Sequence, residues 1–385
     1  MKTYDLFGTL ATSRTGVGTG EVPVEEHIPI AENIEKVNDE DIIVSDYHSP
    51  EKAAKILRGI CGLRNNLLIV TKDGKATGQV WDWFANKHLV AARTPGGFAG
   101  FLPKPEGHLG DNPVADVAMP TKHGIPAELS TLADFTPVEK EFEPLLSQVL
   151  REVRLSVWNA DPNIRGLQLH QIERNFPFLL KVAFVLKKKF DEGGYTRLLL
   201  CSRDCFLLTI LMQLLFPDTD IRYLMTSRLM RYRPTEEYIT YAKGEIDDKT
   251  LIVDMVGSGN SLKYFCDKFG GTPLLVVSAQ NNVEYLVHGG LRETSNPAPH
   301  ATIVDYPPTN SVTPKEEIQH VINTFLECAK LAYRLQLTEP TYTLDWALNR
   351  MEDPRCACLW EDHLAESLAT YELLKSGPLP HEVIL

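Results

Sequence analysis

The chain has 385 residues, 43% of them hydrophobic and 23% charged, with a formal net charge of −12. That length predicts two or three domains with sizeable cores, and the acidic balance argues against non-specific binding to nucleic acid or to an anionic membrane. The seven cysteines are odd in number and show no repeated Cys-x-x-Cys spacing, which suits reduced thiols in a cytoplasmic protein rather than a disulfide framework or a zinc site.

The opening string Tyr4-Asp5-Leu6-Phe7-Gly8-Thr9-Leu10 predicts a short strand ending on Asp5, then a tight turn. A strand end holds a carboxylate at the mouth of a sheet, and the turn brings backbone N–H groups to a bound anion. A carboxylate so held attacks phosphorus or carbon and forms a covalent intermediate. An Asp at a strand end is equally an ordinary turn residue. No basic segment followed by an apolar run opens the chain, so no signal peptide is expected. Residues 11–24 are rich in Gly, Thr and Ser and read as a loop.

About twenty residues then lead to an apolar run, Ile42 to Val44, that ends on the hydroxyl of Ser45. Ser45 suits donation to a phosphate oxygen. The alternative is a plain buried strand before a helix that Ser49 caps and Pro50 starts, running to about Gly62. Leu67 to Val70 reads as the next strand and hands over to a turn holding Lys75, placed to neutralise a nucleophile and a transferring group, or simply solvated. His108-Leu109-Gly110-Asp111-Asn112 with Asp116 sets two carboxylates around a glycine turn. Mg²⁺ is bound by few carboxylates plus waters; the same turn also suits capping a helix.

In this order the four segments resemble the haloacid dehalogenase superfamily of aspartyl-nucleophile hydrolases, over roughly the first 130 residues. The resemblance implies a doubly wound parallel α/β sheet and an aspartyl-phosphate formed on Asp5. It implies catalytic roles for Asp5, Thr9, Ser45 and Lys75, and Mg²⁺ held by Asp5, Asp111 and Asp116. The large cap often inserted after the first strand has no room here. One departure concerns chemistry. The family's phosphatases carry a second Asp two positions past the nucleophile, as general acid and base; here Phe7 stands there, as suits the dehalogenase branch. Loss of a general acid costs on the order of 10²–10⁴ in rate. Asp46 or His48 are candidate replacements.

A domain boundary is expected near residue 135. Helical periodicity follows over residues 138–156 and again over 170–190. The most apolar stretch, Phe206 to Phe216, is too short to span a membrane. Strands then alternate with helices: Leu198 to Cys201, Ile221 to Thr226, Thr250 to Asp254 and Pro273 to Ser278. This alternation argues a second parallel sheet. The segment Leu251 to Ser261 is a strand ending on Asp254, then Met255-Val256-Gly257-Ser258-Gly259-Asn260-Ser261 and a helix, which places N–H groups and hydroxyls where an anion would sit. An ordinary strand-to-helix turn has the same composition.

This segment resembles the phosphoribosyl-diphosphate loop of type I phosphoribosyltransferases, with Val253 in place of the first of two acidic residues. The resemblance implies that Asp254, Gly257, Ser258, Gly259, Asn260 and Ser261 hold the ribose phosphate. It places Arg203 and Asp204 in a pyrophosphate-binding turn and Arg228, with Arg231 and Arg233, on the diphosphate. Helical spacing of Ile318, Val321, Ile322, Phe325 and Leu326 marks a packing stripe in the last region. Residues 376–385 read as a tail.

The expected organisation is a hydrolase domain at 1–135, a phosphoribosyltransferase-like domain at 136–310 and a helical region at 311–385. The expected partner is a phosphorylated small molecule, phosphoribosyl diphosphate among the candidates. In one scheme the second domain ribosylates an acceptor and the first dephosphorylates the product. In a second, only the hydrolase is active. In a third, both sites sense a phosphorylated nucleotide or sugar without turnover, as the departures at Phe7 and Val253 would allow.

Overall fold

The computed structural model describes residues 1–16, 22–86, 89–92, 98–101, 103–278, 280–289, 298–300, 303, 306–308, 316–351 and 372. It is of the α/β class with parallel sheets and divides into two compact units, Met1–Asn159 and Ala160–Leu385.

Five parallel strands form the first unit's main sheet: β1 Thr3–Asp5, β2 Ile42–Ser45, β3 Leu67–Val70, β4 His108–Gly110 and β5 Ala127–Leu129. Their spatial order is β3-β2-β1-β4-β5. The chain winds outward from β1 in one direction, then returns to β4 on its other side. The crevice at the carboxyl ends of β1 and β4 is therefore the switch point, where open α/β sheets bind ligands. Asp5 ends β1, and Asp111 directly follows β4.

Ile43 and Val44 are wholly buried, as expected of strands covered on both faces. Ser49 caps the helix Pro50–Lys55, accepting the Lys52 N–H at 3.3 Å. The stretch expected to be loop after Leu10 is partly a hairpin, with Ala11–Ser13 antiparallel to His27–Pro29.

The boundary near 135 is corrected to 159/160, because the helix Pro144–Ser156 is bound into the first unit. Arg151 is fully buried. It donates to the Ser13 carbonyl at 2.9 Å, the Arg14 carbonyl at 3.2 Å, Thr12 Oγ1 at 3.1 Å and the Ala133 carbonyl at 2.8 Å. Burial, with the Arg154 charge beside it, lowers its pKa to about 10. Arg154 in turn pairs with Glu139 at 2.6 Å. Helical period alone does not reveal which core such a helix joins. Arg151→Met is expected to cost about 3 kcal/mol or more, since several acceptors lose their donor in a dry site; urea unfolding measures it.

The second unit's sheet has strands β6 Arg197–Cys201, β7 Ile221–Leu224, β8 Thr250–Gly257, β9 Thr272–Ser278 and β10 Glu284–His288, all parallel, in the order β7-β6-β8-β9-β10. Its switch point lies between β6 and β8. The fifth strand was not foreseen: Glu284 to His288 has a polar residue at each end, as an edge strand does. The helix Phe176–Glu192 and the helix Glu316–Arg334 meet through Phe176 and Phe325, ring centroids 5.6 Å apart. Val321, Ile322 and Phe325 are buried, as the stripe predicted. The expected tail, and most of the region after 351, lie outside the described residues. No helix among the described residues is long and apolar enough to cross a membrane.

Candidate active site

Asp5, Asp111 and Asp116 each offer a carboxylate oxygen, and these lie within 4.8 Å of one another. Lys75 Nζ sits among them, 2.6 Å from Asp5 Oδ1 and 2.8 Å from Asp116 Oδ1. The ammonium is buried, so two carboxylates provide the charge that water would otherwise screen. Burial alone would lower its pKa, but Asp5 and Asp116 outweigh that and raise it.

Glycines allow this crowding. Gly8 has φ +74°, and a Cβ there would stand 2.0 Å from Asp111 Oδ2. A Cβ at Gly110 would stand 2.2 Å from that of Asp116. Larger residues would push the loops after β1 and β4 apart.

The three acids differ in state. Burial pushes the Asp5 carboxyl well above the usual range; Lys75 opposes this, and Asp116 and Asp111 add to it. Asp111, at the rim, is raised by burial and by Asp116. Asp116 goes the other way: burial opposes, but the His108 hydrogen bond and the Lys75 charge hold it down to about 2. Its oxygens already accept hydrogen bonds. Oδ1 accepts from Lys75 and from His108 Nε2 at 3.2 Å, and Oδ2 accepts the Asn112 N–H at 3.0 Å. Asp116 is one of the three carboxylates that could hold a metal ion, and through these bonds it also orients Lys75.

Asp5 and Asp111 bring carboxylate oxygens within 4.8 Å of each other. Two carboxyl groups so placed need a proton or a cation between them. This donor set, oxygens only and at the carboxyl ends of β1 and β4, fits Mg²⁺.

The other expected residues are placed as follows. Thr9 is wholly buried, and its Oγ1 has no partner among the described residues. Its carbonyl accepts from Asn33 Nδ2 at 2.9 Å. Ser45 lies one residue beyond Val44, the register partner of Asp5. Its Oγ accepts the Tyr47 N–H at 3.3 Å and keeps a proton to donate. Asn112 is the helix cap that the turn composition allowed, accepting from Val114 and Ala115 at 2.9 and 3.0 Å.

Asp46 is not a free acid. It accepts from the Thr71 hydroxyl and from the N–H groups of Lys75 and Ala76, which fixes the turn carrying Lys75. His48 is exposed. Phe7 is buried against Tyr47, ring centroids 4.5 Å apart.

Sequence reasoning missed His108 and Trp81. His108 is the register partner of Thr3, and Thr3 shares a sheet face with Asp5. A polar residue two before Gly110 in a strand buried on both faces was the available signal. Its Nε2 carries the hydrogen bonded to Asp116, because a carboxylate only accepts; Nδ1 lies 3.0 Å from Thr3 Oγ1. Burial holds the imidazole below its ordinary pKa despite that bond. Trp81 Nε1 donates to the carbonyls of Lys75, at 3.2 Å, and Ala115, at 3.1 Å, joining two site loops. Trp81→Phe is expected to cost about 1–3 kcal/mol and to loosen Lys75, as seen by thermal melting alongside rate measurements.

In the second unit the strand β8 continues three residues past Asp254, pairing with β9 as far as Gly257. Ser258 and Gly259 then lead into the helix Asn260–Phe269. Asn282 Nδ2 donates to the Ser258 carbonyl at 3.1 Å and to Asn260 Oδ1 at 2.8 Å, steadying the turn. Arg203 and Asp204 follow β6, half-buried, and Arg228 is exposed at the start of the helix Arg228–Tyr232.

Arg231 differs from expectation. It is buried, 2.8 Å from Asp254 Oδ2, and donates to Ser261 Oγ at 3.1 Å. Asp254 Oδ1 accepts the Met255 N–H at 3.0 Å. Each partner thus neutralises the other, so Arg231 is a wall of the crevice and not a free diphosphate clamp. Nothing in the sequence spacing announced this pair, which joins a helix after β7 to the middle of β8.

No protein-family model matches the chain, and a comparison with curated proteins returns no match.

Proposed function

We propose that the first unit is a Mg²⁺-dependent hydrolase of the haloacid dehalogenase type, cleaving phosphate esters through an aspartyl-phosphate. The observation that carries this reading is the meeting of Asp5, Asp111 and Lys75 at the switch point of a doubly wound sheet. Asp5 Oδ attacks phosphorus, and the ester oxygen departs. Lys75 and Ser45 hold the phosphoryl oxygens, and Lys75 offsets the charge they gather. Asp116 and His108 keep Lys75 in place. Asp5, Asp111 and Asp116 would hold Mg²⁺, which when bound neutralises charge on the nucleophile and the phosphoryl group.

Release of p-nitrophenol from p-nitrophenyl phosphate, dependent on Mg²⁺, tests the proposal. A binding measurement tests the metal separately. Mg²⁺ at about 100 times its dissociation constant adds about 2.7 kcal/mol of stability, so a melting temperature that rises with Mg²⁺, and rises less in Asp111→Asn, is the expected result. An unchanged melting temperature would count against the metal site.

For the second unit we infer a phosphoribosyltransferase-like sheet that binds a phosphorylated ligand at the loop after β8. The Arg231–Asp254 pair favours binding over transfer, because it occupies the carboxylate that ribose hydroxyls would use. Release of pyrophosphate from phosphoribosyl diphosphate, lost in Asp254→Asn, would restore the transferase reading and with it the coupled scheme of ribosylation followed by dephosphorylation.

A further inference from the structure

We propose that His27 is the proton-transfer group that Phe7 cannot be: it takes a proton from the water that hydrolyses the aspartyl-phosphate and returns it to the next leaving oxygen. The inference rests on the hydrolase reading of the first unit.

His27 lies in the hairpin after β1, in register with Ser13. Its ring is 2% exposed, and Nδ1 is 2.9 Å from the Pro23 carbonyl. A carbonyl only accepts, so Nδ1 carries the hydrogen and Nε2 of the neutral ring holds a lone pair. That Nε2 is buried with no hydrogen-bond partner among the described residues. Buried polar atoms left so are rare in native structures and point to a function or a bound molecule.

The ring stands edge-on to Phe7, centroids 5.6 Å apart, and Phe7 in turn packs on Tyr47. Phe7 is two residues past Asp5 and Tyr47 two past Ser45. The imidazole therefore packs on the loop that leaves the nucleophile, and Phe7 links it to the loop that leaves the phosphate-binding hydroxyl. Burial holds the ring below its ordinary pKa, the Lys52 charge acts the same way, and the backbone of Pro23 and Val24 and the Glu26 charge act against. The neutral form, with its lone pair on Nε2, is the one that accepts a proton.

The cycle balances. In the first step Asp5 Oδ bonds to phosphorus, the bond from phosphorus to the ester oxygen breaks, and protonated Nε2 gives its proton to that oxygen. In the second, water oxygen bonds to phosphorus and the bond to Asp5 breaks. Nε2 takes the water's proton, and phosphate leaves. An aryl phosphate with a good leaving group needs help only in the second step.

The test is His27→Asn, whose amide can still donate to the Pro23 carbonyl while nothing occupies the Nε2 position. With p-nitrophenyl phosphate the variant is expected to release about one equivalent of p-nitrophenol per site in a burst, then turn over about 100-fold more slowly, with phosphate trapped on Asp5. With glycerol 2-phosphate, whose leaving alkoxide needs a proton, no burst appears and the rate falls by at least as much. Phe7→Asp added to His27→Asn puts an acid back beside the nucleophile and is expected to restore alkyl phosphate turnover. A variant with no burst, slowed equally on both esters, would overturn the proposal, as would one matching the parent protein. If His27→Asn fails to fold, Phe7→Asp alone decides: with His27 already supplying the proton it gains little, whereas a rise of tenfold or more on glycerol 2-phosphate overturns the proposal. A parent protein that releases no p-nitrophenol removes the hydrolase reading first, and this one with it.

Discussion

Asp5→Asn is expected to abolish ester cleavage, by about 10⁴-fold or more as nucleophile deletions do, while leaving the fold at least as stable. The second half of that result is the more informative. Asp5 is buried beside Asp111 and Asp116, and burial raises its pKa, so its ionised form opposes folding. Asparagine keeps the shape and removes the charge, and Lys75 still has Asp116 at 2.8 Å. The sign can be worked through. A carboxyl whose folded-state pKa is raised contributes stability that is present below the ordinary carboxylate range and lost as pH rises through the raised value. With metal chelated, the parent protein should lose stability with rising pH relative to Asp5→Asn. A variant less stable than its parent at neutral pH would show that Asp5 is a structural half of an ion pair. Such a trade of stability for chemistry is expected of a site built to act.

Lys75→Met is expected to cost roughly 3–5 kcal/mol, the penalty of leaving buried charge without its partner. Both Asp5 and Asp116 lose the ammonium at once, and Asp116 keeps only His108 and the Asn112 N–H. Denaturant unfolding measures the loss. A cycle with Asp5→Asn separates the two contacts: in that background Lys75→Met strands only Asp116, so its cost should be smaller. Ester cleavage should be lost in both. A stability change below about 1 kcal/mol would mean that water reaches the cluster and screens it, which the burial of Lys75 argues against.

The sequence carried the local half of the first site. Short apolar runs ending on Asp5, Ser45 and Val70 announce strands, and the Gly110-Asp111-Asn112 turn announces a cap, because each signal is complete within a few residues. Ser49-Pro50 marks its helix for the same reason. Phe7 was legible as a departure from an acid, but its consequence was not, since the residue that abuts it, His27, arrives from a hairpin some twenty residues on. His108 escaped notice because a strand histidine has meaning only through its register with Thr3.

By itself, then, the sequence determined the α/β class, the strand ends and the identity of the acids and the lysine, all of which follow from periodicity and turn chemistry over a few residues. Tertiary structure alone decided which charges meet. Asp116 faces inward on Lys75 and His108, Arg231 closes on Asp254, and the helix carrying Arg151 joins the first unit and not the second. The physical reason is that pairing of buried charge depends on distances between segments far apart in the chain, whereas spacing along it reports only neighbours.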